Sequence, residues 1–354
     1  MRWLCALLLL LSLPLASPSQ QPLTVRIGVL GIFHPRQLAV SSVKDDGLLV
    51  TASGQQVFLQ PRSACSLLRV RASAGTLRLT CGKKELQTPE LRVSGRNQQA
   101  AALLLAVPGK IQRRYEGILT LKAKDGGLIP VIEMDLETAV ASVVQAESLP
   151  GAPLETLKAQ AVVSRSYFVA GAGRHAGFDF CDLTHCQFLR EPPVPDSPAA
   201  SAAAATRNLV LTFNGKPVAA MYTQSCGGHT RTPQEIGLPQ AEYPYFSVVC
   251  DFCYRNPVRW TRRVSPEDAA LLLLHGESGR LAIGRKLGWD AVPSNNFTAR
   301  EENGGVTLHG TGHGHGLGLC QRGARSMAEQ GASFREILSH YFPNTKLEEP
   351  HSSP

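Results

Sequence analysis

A loop over residues 173–190, which we call the His/Cys loop, is dense in side chains that bind metal ions. It contains four such donors within twelve residues: His175, Cys181, His185 and Cys186. Two thiolates and two imidazoles suit tetrahedral zinc. The spacing matches no standard zinc finger, and a Cys181–Cys186 disulfide beside surface histidines explains the residues equally well. Asp182 is a candidate to orient a metal-bound histidine.

A second chemically rich segment, the glycine-rich stretch (309–324), holds three histidines, Cys320 and six glycines. Glycines let a backbone pass close to a ligand, so the pattern is typical of a site wall. Phosphate binding is disfavoured, because no Lys followed by Ser or Thr comes after the glycines. His309, His313 and His315 are candidates for metal binding, acid catalysis or hydrogen bonding.

Glu147 stands where an apolar helix is predicted to end, just before Ser148-Leu149-Pro150. A carboxylate there faces the unfavourable end of the helix dipole, and partial burial would raise its pKa. A general acid that works near neutral pH needs such a raised pKa. The residues alone nevertheless favour an ordinary solvated glutamate.

The N-terminus indicates export. Arg2, the apolar run over 7–11 and the small residues that follow are typical of a signal peptide, which we assign to 1–19. That run is too short to span a bilayer, and no later segment reaches about 18 apolar residues. We therefore expect a protein of the periplasm, cell envelope or extracellular space without a transmembrane segment.

Eight cysteines remain beyond residue 19, an even number that suits disulfides in an oxidising compartment. Cys65 and Cys81 flank two apolar runs, which predicts a disulfide across a hairpin. Four others fit either two disulfides or a second metal site: Cys226, Cys250, Cys253 and Cys320. Export favours disulfides among these four.

The charge distribution limits the partners. The net charge is +8, but Lys and Arg are scattered without a basic tract, so no nucleic-acid partner is expected. A mild positive field suits an acidic polymer such as a cell-wall glycan.

The elements that must position these groups indicate an α+β fold. A β-rich part is predicted over 20–134, with strands at 24–30, 48–51, 57–59, 67–70, 77–80, 91–93, 117–121 and 128–134. From Asp135, a plausible N-cap, the apolar period becomes helical. Helices are predicted at 136–147, 154–170, 199–206, 266–274, 325–329 and 334–341. A hairpin with an Asn214-Gly215 turn joins 209–213 to 218–222.

Segments spread along nearly the whole chain resemble, in order, the SpoIID/LytB family of cell-wall lytic transglycosylases. They are 115–119, 135–138, 143–150, 157–167, 181–187, 225–230, 245–246, 314–324 and 341–345. The sequence departs from the family at two positions. Cys320 stands where the family usually has serine, and Arg322 where it often has an aromatic residue.

The resemblance implies roles for particular residues. Glu147 falls on the catalytic acid/base, which reverses the preference for a solvated glutamate. Arg165 falls on an arginine needed for activity, which we expect to contact the glycan. Four further residues are expected to bind substrate: Gln160, Tyr245, His315 and Gln321. The His/Cys loop falls on the family's zinc loop, so its four donors are expected to hold a structural zinc ion.

The resemblance also implies a fold and an activity. Residues 135–348 would form a mixed helical and β catalytic region with a glycan groove, and 349–354 a tail. The enzyme would cleave MurNAc–GlcNAc β-1,4 bonds of peptide-stripped peptidoglycan to 1,6-anhydroMurNAc ends, in cooperation with a cell-wall amidase. One carboxyl group can suffice, because the substrate's own C6 hydroxyl replaces water.

Two other classes of function remain open. The protein could be a wall-binding amidase enhancer of the LytB type without catalysis, although Glu147 and Arg165 together argue against this. A metalloamidase is disfavoured, because a zinc ion held by four protein ligands has no open position for catalysis.

Overall fold

The computed structural model describes residues 23–171, 175–239 and 245–349. The predicted signal peptide and residues 350–354 of the predicted tail lie outside the described residues. Within the described part, no helix is long and apolar enough to cross a membrane. Helices and strands both contribute large shares of the chain, which confirms the α+β class.

In the described part, eleven strands precede the first α-helix. They are β1 Thr24–Gly28, β2 Gln37–Ser42, β3 Leu48–Ala52, β4 Gln55–Leu59, β5 Leu68–Ser73, β6 Thr76–Cys81, β7 Lys84–Thr88, β8 Glu90–Ser94, β9 Ala101–Val107, β10 Ile111–Lys124 and β11 Gly127–Asp135. The predicted strands are all present, and β2, β7 and β9 have no counterpart in the prediction. The predicted disulfide between Cys65 and Cys81 is confirmed.

One large sheet joins these strands to the His/Cys loop. The long strand β10 pairs with β9 through residues 111–117 and with β8 and β11 further along. Strand β1 pairs with β11 on one side and, in parallel, with the short strand β12 (Phe180–Cys181) on the other. The sheet therefore positions the middle of the His/Cys loop at its edge.

Three helices follow: α1 Leu136–Glu147, α2 Leu154–Ala170 and α3 Pro198–Ala205. The predicted bounds of α1 and α2 are confirmed, and Asp135 caps α1 by accepting a hydrogen bond from the Thr138 amide at 3.1 Å. One cluster of buried side chains contains the sheet together with α1 and part of α2. The β-rich part and the helices that follow it therefore share a core.

The C-terminal elements form two further core clusters, one packed against α2 and one over residues 260–308. They are β13 Val210–Phe213, β14 Lys216–Pro217, β15 Tyr222–Thr223, α4 Asp251–Arg255, β16 Arg259–Val264, α5 Pro266–Leu287, β17 Phe297–Glu302, β18 Gly305–Thr311, β19 Leu319–Cys320, α6 Gln321–Glu329, α7 Phe334–Tyr341 and β20 Lys346–Glu348. The Asn214-Gly215 turn is confirmed, but the second hairpin strand ends at Pro217, which has no N–H to continue the ladder. Strand β15 instead pairs in parallel with β19.

Candidate active site

A cleft of about 710 Å³ lies where the His/Cys loop, β15, α5 and the glycine-rich stretch meet. Its walls include Glu147 at the end of α1, together with His315 and Gln321 from the glycine-rich stretch. The structure thus brings the predicted acid to the same cavity as two of the predicted glycan-binding residues. A volume of this size is ordinary for a small-molecule site and leaves room for sugar rings.

Glu147 is held from two sides. Its Oε1 accepts a hydrogen bond from the Phe188 amide at 2.7 Å. Its backbone carbonyl accepts one from the Gln321 side-chain amide at 2.7 Å. Burial raises the pKa of the Glu147 carboxyl, while the Phe188 amide and the Tyr222 hydroxyl act in the opposite direction. A carboxyl group at the edge of a cleft with a raised pKa has the properties of a general acid.

Gln160 supports this arrangement from beneath and does not line the cleft. Its Oε1 accepts hydrogen bonds from Gln321 at 3.0 Å and from the Ser148 hydroxyl at 3.1 Å, and the side chain is fully buried. Its Nε2 has no hydrogen-bond partner among the described residues. Gln160 therefore fixes the end of α1 through Gln321.

Two residues predicted to bind glycan lie in the interior. The Arg165 side chain is 0% exposed and donates to both carboxylate oxygens of Glu137, at 2.8 and 2.6 Å. Tyr245 is 2% exposed and donates its hydroxyl hydrogen bond to the Ala219 carbonyl. Neither lines the cleft, so direct glycan contact by these two side chains is not supported by this structure.

The histidines of the glycine-rich stretch separate into two groups. His313 and His315 line the cleft, whereas His309 lies on the exposed face of β18 beside Thr261. Burial lowers the pKa of both His313 and His315, so their neutral forms are favoured. Nδ1 of His315 accepts the Leu317 amide at 3.0 Å, which places the remaining ring proton on Nε2. The backbone of Tyr222 also hydrogen-bonds this ring, so both ring nitrogens are engaged within the protein and His315 shapes the cleft wall.

The sequence prediction missed a second carboxylate in the cleft, Glu277. Both of its oxygens accept hydrogen bonds from the Arg280 guanidinium at 2.7 Å, and Asn295 donates another. These contacts and the charge of Arg280 lower the pKa of Glu277 despite its burial. The sequence prediction ended this helix at Leu274, before Glu277. Helix α5 instead bends at Gly276 (φ 50°), where a Cβ would meet the Ile236 carbonyl oxygen at 2.2 Å.

The four donors of the His/Cys loop converge as predicted for a metal site. The donor atoms of His175, Cys181, His185 and Cys186 all lie within 4.8 Å of one another. The sulfurs of Cys181 and Cys186 are 3.5 Å apart, well beyond the length of about 2.05 Å of a disulfide bond, so the alternative disulfide is not formed. Tetrahedral ligands at zinc distances stand about 3.3–3.8 Å apart, so the donor set fits zinc.

Asp182 has another role than the one expected. Its Oδ2 accepts the Leu30 amide at 3.0 Å and the Arg113 guanidinium at 3.3 Å, and its Oδ1 has no hydrogen-bond partner among the described residues. The residue is buried, and desolvation raises the pKa of Asp182 to about 6. Asp182 therefore ties the His/Cys loop to the sheet.

The prediction of disulfides among the other four cysteines is wrong. Their thiols are free, and the four sulfurs form a single mutual group in place of two pairs: Cys226, Cys250, Cys253 and Cys320.

Comparison with known proteins confirms the resemblance seen in the sequence. The SpoIID family model, described as Stage II sporulation protein, matches residues 124–213. This range contains Glu147, Arg165 and the whole His/Cys loop.

Individual relatives extend the similarity. An uncharacterised protein of Brachyspira hyodysenteriae is 28% identical over 262 residues, which are 64% of this chain and 70% of that protein. Stage II sporulation protein D of Bacillus amyloliquefaciens is 26% identical over 180 residues, or 43% of this chain and 51% of that protein. The amidase enhancer of Bacillus subtilis strain 168 is 38% identical over 61 residues, or 17% of this chain and 9% of that protein.

Proposed function

Since this chain belongs to the SpoIID/LytB family, we propose that it is a peptidoglycan lytic transglycosylase that cleaves the MurNAc–GlcNAc β-1,4 bond. The observation that carries the proposal is Glu147, a carboxyl group whose pKa is raised by burial in a cleft of about 710 Å³. The protein would act in the cell envelope on glycan strands stripped of peptides. A cell-wall amidase would supply such strands.

The reaction needs one group that first gives and then takes a proton. Protonated Glu147 donates its proton to the glycosidic oxygen as the bond to the anomeric carbon breaks. The resulting carboxylate then accepts the proton of the C6 hydroxyl of MurNAc, whose oxygen bonds to the same anomeric carbon. The products are a 1,6-anhydroMurNAc end and a strand with a free GlcNAc 4-hydroxyl, and Glu147 is again protonated.

Glu277 is poorly suited to a second catalytic role. A hydrolytic glycosidase uses its second carboxylate as a nucleophile or to activate water. Both oxygens of Glu277 are engaged by Arg280, and Asn295 adds a third hydrogen bond. This supports a mechanism with one carboxyl group, in which Glu277 orients Arg280.

The opposite wall offers surfaces for the sugar. Arg280, Arg285 and Trp289 of α5 and the segment after it line the cleft, and Trp289 is 46% exposed. An exposed indole face can pack against the apolar face of a sugar ring. The two guanidinium groups can bind carboxylate groups of the glycan.

The His/Cys loop would hold a zinc ion through two thiolates and two imidazoles, which leaves no open coordination position. The ion's contribution would be structural. Phe188, whose amide binds Glu147, lies two residues beyond Cys186, so an ordered loop keeps that amide on the carboxylate.

The test is product analysis by mass spectrometry after digestion of peptide-free glycan strands. The proposal expects fragments that are lighter by one water than hydrolytic products, and their loss in Glu147→Gln. Glu301→Gln, an exposed glutamate on β17 outside the cleft, is the matched control and should retain activity. Fragments with ordinary reducing ends, or full activity of Glu147→Gln, would contradict the proposal.

The second candidate is an amidase enhancer without its own catalysis, favoured by the match to the Bacillus subtilis protein of that name. It predicts no cleavage of glycan by the purified protein and faster peptide release by an added cell-wall amidase. The Glu147→Gln variant would then stimulate the amidase as well as wild type does.

A further inference from the structure

Four cysteines that the proposed reaction does not use meet in the C-terminal core. Cys226 follows β15, Cys250 and Cys253 bracket the start of α4, and Cys320 ends β19. They are between 0 and 2% exposed. All four sulfur atoms lie within 4.8 Å of one another. None of them belongs to the His/Cys loop, which packs in the other core cluster.

The spacing of the sulfurs distinguishes between ligands. A zinc ion with four thiolates at about 2.3 Å puts neighbouring sulfurs about 3.8 Å apart. A disulfide would bring two of them to about 2.05 Å. The sulfurs of Cys253 and Cys320 are 3.5 Å apart, close to the tetrahedral edge. Each of the four sulfurs is close to the other three, so the group surrounds a common centre and is not divided into two pairs.

The surroundings of the sulfurs suit thiolates. The Cys226 amide donates to the Cys320 sulfur at 3.4 Å. The Tyr341 hydroxyl lies 3.4 Å from the Cys250 sulfur, and the Ser225 hydroxyl 3.5 Å from that of Cys253. Polar hydrogens next to the sulfurs are the usual outer contacts of a metal site, because they offset the negative charge of bound thiolates.

Helix α6 leaves room for the group. A Cβ on Gly323 would lie 2.4 Å from the Cys250 sulfur and 2.0 Å from the Tyr341 hydroxyl oxygen. A residue with any side chain at this position would therefore displace a sulfur and one of its polar neighbours.

We propose that Cys226, Cys250, Cys253 and Cys320 bind one structural zinc ion, in a site separate from the His/Cys loop. The ion joins the segment after β15, α4 and the start of α6. Gln321, which follows Cys320, donates to the Glu147 carbonyl, so this site fixes one wall of the cleft. The proposal concerns metal binding alone and does not depend on the reaction.

The test measures the zinc content of the purified full-length protein and of a Cys181→Ser/Cys186→Ser variant, in which the His/Cys loop loses its thiols. Wild type should contain about two zinc ions per chain and the variant about one. X-ray absorption of the variant's zinc should show four sulfur neighbours at about 2.3 Å. Cys320→Ser should lose this zinc, whereas Ser225→Ala, a buried neighbour that leaves all four thiols in place, should keep it.

X-ray absorption of the wild-type protein alone also tests the proposal if a variant fails to fold. Two sites together give an average of about three sulfur and one nitrogen neighbours per zinc, whereas the His/Cys loop alone gives two of each. Absence of zinc in the folded loop variant, nitrogen or oxygen neighbours there, or iron in place of zinc would overturn the proposal. Two disulfides among these four cysteines would also overturn the proposal. They would be detected if the four thiols were not alkylated in protein that is unfolded but not reduced.

Discussion

Arg165 gives the sharpest contrast between the role expected from the sequence and the role indicated by the structure. A glycan contact would make Arg165 important for binding and unimportant for stability. The structure places its guanidinium in the core, paired with Glu137 and donating further hydrogen bonds to the carbonyls of Ala203 and Leu209. We therefore expect Arg165→Met to weaken the fold.

The magnitude follows from the burial of the pair. The side chains of Arg165 and Glu137 are 0% and 12% exposed. Removal of one partner of a buried ion pair costs about 3–5 kcal/mol, because the other charge remains desolvated. Methionine keeps most of the volume and Glu137 retains some contact with water, so we expect a loss of about 3 kcal/mol. With a total stability of about 5–15 kcal/mol, the variant should still fold at 25 °C.

The assay is urea unfolding of wild type, Arg165→Met, Glu137→Gln and the double variant. The double variant should lose less than the sum of the single losses, with a coupling of about 1–3 kcal/mol. The matched control is the exposed pair of Lys122 and Glu90, where Lys122→Met should cost at most about 1 kcal/mol. Glycan binding by the folded Arg165→Met protein should match wild type. Unchanged stability together with lost glycan binding would refute this reasoning.

Three further predictions concern the cleft and its supports. Burial raises the pKa of Glu147 in the folded state, so the carboxyl group ionises less readily there than in the unfolded chain. The free energy of unfolding therefore falls as the pH rises above the ordinary carboxyl pKa. Glu147→Gln should therefore increase the free energy of unfolding at about pH 7 and lose this gain near pH 3, as measured by urea unfolding at both pH values. Gly323→Ala should lower the melting temperature, because a clash worth about 1–3 kcal/mol outweighs the roughly 1 kcal/mol gain in helix propensity. Trp289→Ala should weaken glycan binding of the folded protein in calorimetry, since 46% of the residue is exposed; unchanged affinity would exclude sugar stacking there.

Local features of the sequence predicted local structure well. The bounds of α1 and α2 follow from helical spacing of apolar residues, from the Asp135 cap, from Pro150 and Gly151 after α1 and from Gly171 after α2. The Cys65–Cys81 disulfide follows from two alternating runs joined by a short connection. In each case the deciding residues lie within about twenty positions of one another.

The surroundings of the site depend on distant segments and could not be predicted. The partner of the Glu147 carboxylate is a backbone amide 41 positions away, and the group that holds its carbonyl is 174 positions away. A motif identifies the position of a residue in the sequence but not its surroundings in the fold, so Arg165 was expected to contact the glycan. Glu277 was missed because the predicted helix ended at Leu274, whereas α5 bends at Gly276 against the Ile236 carbonyl and continues to Leu287.

The pairing of β1 with β12 has a consequence for the order in which the chain folds. It joins the first described strand to the His/Cys loop, and the Leu30 amide and Asp182 carboxylate that meet there are 152 positions apart. Contacts that close so long a loop form slowly, because the chain entropy must be lost before they contribute. The loop that orders the Phe188 amide on Glu147 can dock only onto a sheet that has already formed. We therefore expect the carboxyl group to acquire its environment late in folding, after the sheet has formed.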